Sequence, residues 1–400
     1  MKTSSTYKFL LSIYLLPLCF VLSSITFSAQ AAIVQGLYES EMLVASQSKA
    51  ERDKAMKTAL IEVLAKVSGR PDVSTLANIA QALNKPSRYM QQYQYRKIPE
   101  NSYLVTEAAT GSQLMWIQFD EKAVNKLLQN NQLPVWGRTR PATLVWLAVE
   151  QDGERFLIGG NSQEEIRFAI EKEAKRNGVA VLLPLLDLED QTKLNLTDVL
   201  NNSQEAIFQA SARYQADAIL VGRIGLTGGD SWQGRWILYE GGQGLSWNAQ
   251  GSYAGELVGT GVSGALEILG TRYAQVYDNT TPGVFDIAVM DITSLDQFAR
   301  VSNYLKSLEQ VKELYPTYVD NESVTYRLDI RGNSTGLIQT FALGNVLEVV
   351  SSPSESGAMN ANTMNANRMN SNTLTPFATD QTIEVQDTFP TTAHIYRLMP

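Results

Sequence analysis

Trp136, Arg138 and Arg140 occupy alternate positions in a segment that also carries Pro134, Gly137 and Pro141. The prolines and glycine disfavour regular structure over 133–142, so the segment reads as a linker. An indole beside two guanidiniums could grip a carboxylate, a phosphate or a partner chain. The same three residues could form a packed hinge, with the ring filling a domain seam and the arginines paired to acids. Both readings stand on the sequence. A second aromatic set lies further on. Trp232 and Trp236 share one face of a predicted strand with Gly234 and Leu238, and Trp247 falls on the next strand. Exposed, such a face could stack on sugar rings, including those of peptidoglycan. A core face is the bland alternative and the expected one, because aromatic rings are mostly buried.

Residues for covalent chemistry are scarce. The chain has one His and one Cys. That argues against a Ser-His-Asp triad, a Cys-based zinc site or a His-rich metal site. Gly229-Asp230-Ser231 resembles an esterase nucleophile turn, but the sole candidate base, His394, lies beyond a low-complexity tract. Gly259-Thr260-Gly261-Val262-Ser263-Gly264 matches G-x-G-x-x-G, yet it falls in an apolar helical stretch rather than between a strand and a helix. Small residues for close helix packing are the expected reading. Asp187, Glu189 and Asp190 form an acidic loop without the spaced oxygens and bend glycine of a calcium loop. Glycoside cleavage needs only two carboxylates, so Asp217 and Asp187 are the candidates for a hydrolase. No cofactor, metal site or catalytic residue is predicted, and the chain is expected not to be an enzyme.

The chain of 400 residues carries 33 Lys+Arg against 41 Asp+Glu, a net charge of −8. An acidic balance argues against a nucleic-acid binder. A hydrophobic fraction of 44% with 18% charged residues is that of a folded protein of two or three domains. Lys2 and Lys8 precede an apolar run and Ala29-Gln30-Ala31, the n-region, h-region and cleavage pattern of a signal peptide. Residues 1–31 are therefore expected to be removed by a cut after Ala31, with Ala29 and Ala31 as the A-x-A site, giving a periplasmic protein without a stable membrane span. The one thiol, Cys19, would leave with the leader.

The elements that must position these residues follow from periodicity. Ser48 and Glu51 form a capping box opening a helix with Met56, Leu60, Val63, Leu64 and Val67 on one stripe, stopped by Gly69 and Pro71. A strand at 114–119 and a helix after Asp120 complete an amino-terminal α/β domain over 32–132. Strands at 143–149, 179–183 and 218–224 alternate with helices at 164–176 and 203–214. Two antiparallel strands and an apolar helix follow, so 143–278 reads as a mixed sheet with flanking helices. Residues 283–350 read βαββαβ, the ferredoxin-like arrangement. The Met/Asn-rich repeats make 351–380 a predicted disordered tract, and 381–400 a terminal segment that could add a strand or trail. The fold class is thus α/β and α+β in three small modules.

Leu37-Tyr38, Glu51-Arg52, Val67-Ser68-Gly69, the segment from Pro134 to Pro141, Leu144-Val145-Trp146-Leu147 and the run from Ala216 to Arg223 together resemble a secreted proteobacterial family, domain of unknown function 2066. The resemblance covers about 33–350 and implies export but no assigned activity. The middle segment is also similar to envelope proteins of the TolB amino-terminal and CsgG/LpoB kind, and the third module to peptidoglycan-binding SPOR domains, at the level of fold alone. The expected function is a non-enzymatic envelope protein that binds a protein partner or a cell-wall polymer through Trp136, Arg138, Arg140, Trp232 and Trp236. A carboxylate hydrolase and a small-molecule carrier, the latter at the strand ends of the middle sheet, are the alternatives.

Overall fold

A computed structural model describes residues 32–99, 109, 111–160, 164–227, 231–276, 282–332, 334–344, 346–351 and 394–399. The leader, the Gly229-Asp230 pair and the Met/Asn-rich tract lie outside them. The fold is mixed α/β.

Strand β1 is Ala32–Ile33 and β2 is Glu39–Val44. Helix α1, Lys49–Ser68, follows. The Ser48 side chain accepts the Glu51 N–H, and Gly69 closes the helix in the left-handed conformation, φ 68°. Its stripe of Met56, Leu60, Val63, Leu64 and Val67 is buried. Helix α2 is Ala77–Ala82, β3 is Met90–Arg96, β4 is Gln113–Phe119 and α3 is Glu121–Asn130. A three-stranded sheet in the order β2-β4-β3 backs α1. The sequence reading lacked β3, whose polar run, MQQYQYR, carries little hydrophobic signal.

The proline-rich segment is not a free linker. Strand β5, Thr139–Arg140, pairs with β1, and Val135 bridges Gln275. The Trp136 N–H donates to the Val67 carbonyl at 2.7 Å. Pro134 and Pro141 limit regular structure, but the residues between them keep their N–H groups and use them.

Strand β6, Ala142–Gln151, is buried from Ala142 through Val149 on both faces, as an unbroken apolar run requires of a central strand. It hairpins into β7, Glu154–Ile158. Then come α4, Glu164–Asn177; β8, Ala180–Leu182; α5, Leu188–Lys193; α6, Leu196–Asn201; α7, Gln204–Ser211; β9, Ala218–Thr227; β10, Ser231–Glu240; β11, Gln243–Gly251; and α8, Ala254–Tyr273. The six-stranded sheet runs β11-β10-β9-β6-β7, with β8 also on β6. β8 and β9 lie parallel to β6. One face packs against α4 and α8, the other against the segment carrying α5, α6 and α7.

Strand β12, Pro282–Met290, opens the last sheet, followed by α9, Leu295–Ser307; β13, Val311–Val319; β14, Ser323–Arg331; α10, Ser334–Leu343; β15, Leu347–Ser351; and β16, His394–Leu398. The order is β13-β14-β12-β16-β15. The βαββαβ reading therefore lacks one strand. β16 is inserted between β12 and β15, parallel to the first and antiparallel to the second. Five residues supplied from far along the chain give no local sign of the partners they will find.

The described residues belong to one compact unit. Tyr396 of the inserted strand is buried and meets Phe341 edge-on at 5.0 Å. Tyr396→Ala should lower stability by about 3–5 kcal/mol, the range for deleting a buried aromatic. Urea unfolding followed by the signals of tyrosines in the last sheet checks this; a loss below about 1 kcal/mol would mean β16 is dispensable.

Candidate functional site

The seam between the first two sheets is built on Arg140. Its side chain is fully buried, at 0% exposure, and among the described residues no carboxylate stands within ion-pair distance. Backbone carbonyls hold it instead. Nε donates to Gly137 O at 3.1 Å and Nη1 to Gly178 O at 2.8 Å. Nη2 donates to Lys66 O at 2.7 Å and to Trp136 O at 3.2 Å. Lys66 lies in the last turn of α1, and Gly178 directly follows α4. The guanidinium thus sits at two helix carboxyl ends, where the macrodipoles favour positive charge. Burial pulls its pKa down to about 9, so it stays charged at neutral pH. Lys66 beside it is also buried; desolvation, with Arg140 adding repulsion, lowers its pKa to about 8, against the favourable pull of Glu62.

Trp136 is 3% exposed, lies under the Arg140 guanidinium at 4.1 Å and stacks on Tyr273 at 6.3 Å. Trp136 fills the seam and Arg138 pairs with an acid, as a packed hinge requires, but Arg140 is held by carbonyls and not by an acid; buried, Trp136 and Arg140 present no free surface for a grip. Arg138 alone stays exposed. It pairs with Glu121 at 2.8 Å and lies over the Tyr38 ring at 5.6 Å.

Near Arg138 a hydrogen-bond relay joins α3 to the turn between α9 and β13. The Tyr38 hydroxyl donates to Asn125 Oδ1 at 3.0 Å, and Asn125 Nδ2 donates to Glu309 Oε1 at 3.2 Å. Burial pushes the Glu309 carboxyl up to about 7, helped by a hydrogen bond and repulsion from Glu121 and opposed by Arg331 and Arg138.

Trp232 and Trp236 are core residues, which corrects the sugar-stacking expectation for them. Trp236 is clasped between two glycines. A Cβ on Gly222 would fall 2.3 Å from its ring and one on Gly261 2.4 Å. The G-x-G-x-x-G stretch therefore lies within α8 and makes seats for indoles; Gly264 does the same for Trp247. The acidic loop is also corrected. Asp187 caps α5 and pairs with Arg213, while Asp190 is buried and accepts the Leu186 N–H and the Tyr214 hydroxyl. Asp217, the other hydrolase candidate, accepts the Ala142 N–H at 2.7 Å. Both carboxylates named for hydrolysis are engaged in holding backbone or Arg213. His394, the one imidazole, lies against Phe285 at 4.7 Å in the third sheet.

What the sequence reading missed is a groove of about 870 Å³ along α8. Glu256, Thr260, Ser263 and Glu267 line it from one stripe of the helix, and α1 and α4 form one wall. Leu245, Trp247 and Tyr253 form the other, with Leu245 and Tyr253 exposed. Four glutamates, Glu62, Glu173, Glu256 and Glu267, face it against one arginine, Arg176. Arg176 holds Glu62 at 2.7 Å, and burial raises the Glu173 carboxyl. Beside it runs β11, an edge strand. Its sequence, QGLSWNAQG, carries no charge and no proline. The edge strand β13, by contrast, has Lys312, Pro316 and two irregularities, the usual guards against pairing. Period-two spacing had marked the Trp247 strand; the groove depends on α1 and α4, remote in sequence.

Residues 31–137 match a family described as a domain of unknown function, DUF8605. Among curated proteins none matches the chain. The resemblance to domain of unknown function 2066 is thereby corrected: the family matched is a different one, and the match ends at Gly137. The residues that suggested the resemblance serve as a helix cap, a seam and a buried strand, tasks common to many α/β chains.

Arg140→Met should cost about 3–5 kcal/mol, because carbonyls at two helix ends lose their donor. Arg140→Lys, which keeps the charge, should cost less; equal losses in thermal unfolding would remove the role given to the fork. Glu309 sets a pH dependence of known sign. Its carboxyl, raised in the folded state, holds a proton that the unfolded chain releases near 4.5. Stability from that proton is complete below this point and is lost as pH rises to about 7. The wild type should lose stability relative to Glu309→Gln across that window and run parallel to it above; parallel curves throughout would refute the assignment.

Proposed function

We propose that this is a non-enzymatic binding protein of the periplasmic envelope that captures an extended segment of a protein partner. The carrying observation is the groove along α8 with the unguarded edge of β11 beside it. An edge strand offers free backbone donors and acceptors, and strand addition uses them for affinity while pockets read alternate side chains. Leu245, Trp247 and Tyr253 supply an apolar and aromatic wall, and the excess of glutamates selects a segment bearing apolar and basic side chains. A second copy of this chain is a poor occupant, since the acidic groove would face its own charge.

The leader pattern in 1–31 supports the periplasmic address. The surrounding architecture is read as three modules, the last a ferredoxin-like βαββαβ unit widened by β16. A cell-wall glycan is the weaker occupant, because Trp232 and Trp236, the rings proposed to stack on it, are in the core.

A photocrosslinking residue placed at Leu245 or Tyr253 in living cells should capture one protein, joined through a segment that carries Lys or Arg. Tyr253→Ala and Glu256→Gln should each weaken binding of that segment about tenfold or more. Crosslinks from Arg155, on β7 at the opposite edge of the same sheet from β11, should be absent. Capture of glycan alone, or equal capture at all three positions, would overturn the proposal.

A further inference from the structure

The opposite face of the middle sheet carries an arginine pair that the partner groove does not use. Arg223 of β9 and Arg235 of β10 are direct cross-strand partners. Period-two alternation puts both on the face that buries Val221 and Tyr239, beyond the cover of the helices. Like charges directly opposite one another on a sheet are unfavourable. Elsewhere in this acidic chain arginines hold carboxylates: Arg155 has Glu150, Arg213 has Asp187 and Arg327 has Asp286. Among the described residues no carboxylate lies within ion-pair distance of Arg223 or Arg235. The nearest acid on this face by register is Glu150, which follows Ala148, the partner of Arg223, by two residues and is held by Arg155.

The two guanidiniums border a cleft of about 360 Å³ between the sheet and the last turn of α6. Its apolar floor is Val199, Val221 and Ile237. Arg223 Nη1 donates to Leu200 O at 3.2 Å, which orients the fork. Asn202 lines the same cleft in the left-handed conformation, φ 55°. Its Nδ2 donates to the Tyr239 hydroxyl at 2.6 Å, and its buried Oδ1 has no hydrogen-bond partner among the described residues. A ligand that brings an oxyanion to the arginines would supply the charge they lack, and a hydroxyl on it would lie beside Asn202 on the cleft wall.

We propose that this cleft binds a small hydroxylated ligand through its phosphate or carboxylate, gripped between Arg223 and Arg235. Guanidinium forks match both oxyanions bidentately, so the shared chemistry is the anion, and its source is a question for the ligand series. The site lies on the face away from the α8 groove and stands or falls independently of the partner segment.

The test uses the full chain titrated with glucose 6-phosphate, glucuronate and glucose, read by calorimetry and by arginine Nε–H chemical shifts. Saturable binding of at least one anion, with shifts at Arg223 and Arg235 and none from glucose, is expected. Tighter binding of the phosphate identifies a phosphate ester, and tighter binding of glucuronate a carboxylate. Arg223→Gln and Arg235→Gln should each weaken binding about tenfold or more, while Arg327→Gln, in the third sheet, leaves it unchanged. Both variants replace exposed side chains, and unfolding curves matching wild type confirm that the fold persists. No saturable binding of either anion, or equal loss in Arg327→Gln, would overturn the site.

Discussion

A buried guanidinium, paired to no carboxylate among the described residues, organises the middle of this molecule. Placing Arg140 out of water carries a large desolvation cost. The cost is offset because the charge is delivered to carbonyls that would otherwise be orphaned. The last turn of α1 and the residue closing α4 aim their carbonyls at it, and the Trp136 ring lies against it. One side chain therefore satisfies two helix ends, and the relative position of those helices follows. Gly178, with φ 65°, permits the close approach; a Cβ there would stand 3.1 Å from Nη1 of Arg140.

The rest of the seam depends on that placement. The end of α1 meets α8 through glycine against glycine. A Cβ on Gly270 would fall 2.3 Å from Gly69 O, so the backbones touch with no room for a side chain. Tyr273 then reaches Trp136, and Gln275 bridges Val135. Farther along α8, Gly261 and Gly264 seat Trp236 and Trp247. The groove is what remains open between α1, α4, α8 and β11 once these contacts are made. Those contacts are close-packed; the groove walls are acidic, with Arg176 bridging Glu62 and Glu173.

Much of the secondary structure was legible in the residues. The stripe from Met56 to Val67 and the caps at Ser48 and Gly69 state a helix and its ends. The unbroken apolar run into Val149 states a strand covered on both faces. The Trp136, Arg138 and Arg140 trio was visible as a cluster, but its sequence could not distinguish a hinge from a grip, because the carbonyls that answer Arg140 come from Lys66 and Gly178. The acidic trio at Asp187, Glu189 and Asp190 looked like a solvated loop. Asp190 is buried instead, since Tyr214 and Arg213, some two dozen residues later, fold back onto it.

Local patterns alone determined that this chain is a mixed α/β protein, which stretches alternate and where helices begin and stop. Those properties rest on contacts between near neighbours, and periodicity records them. Tertiary structure decided which aromatic rings face water, which arginines are answered by carbonyls and which are left in pairs, and where His394 and Tyr396 enter a sheet. Each of these depends on groups far apart in the chain. A side chain's chemistry is set by what it meets, and the sequence names the side chain without naming its neighbour.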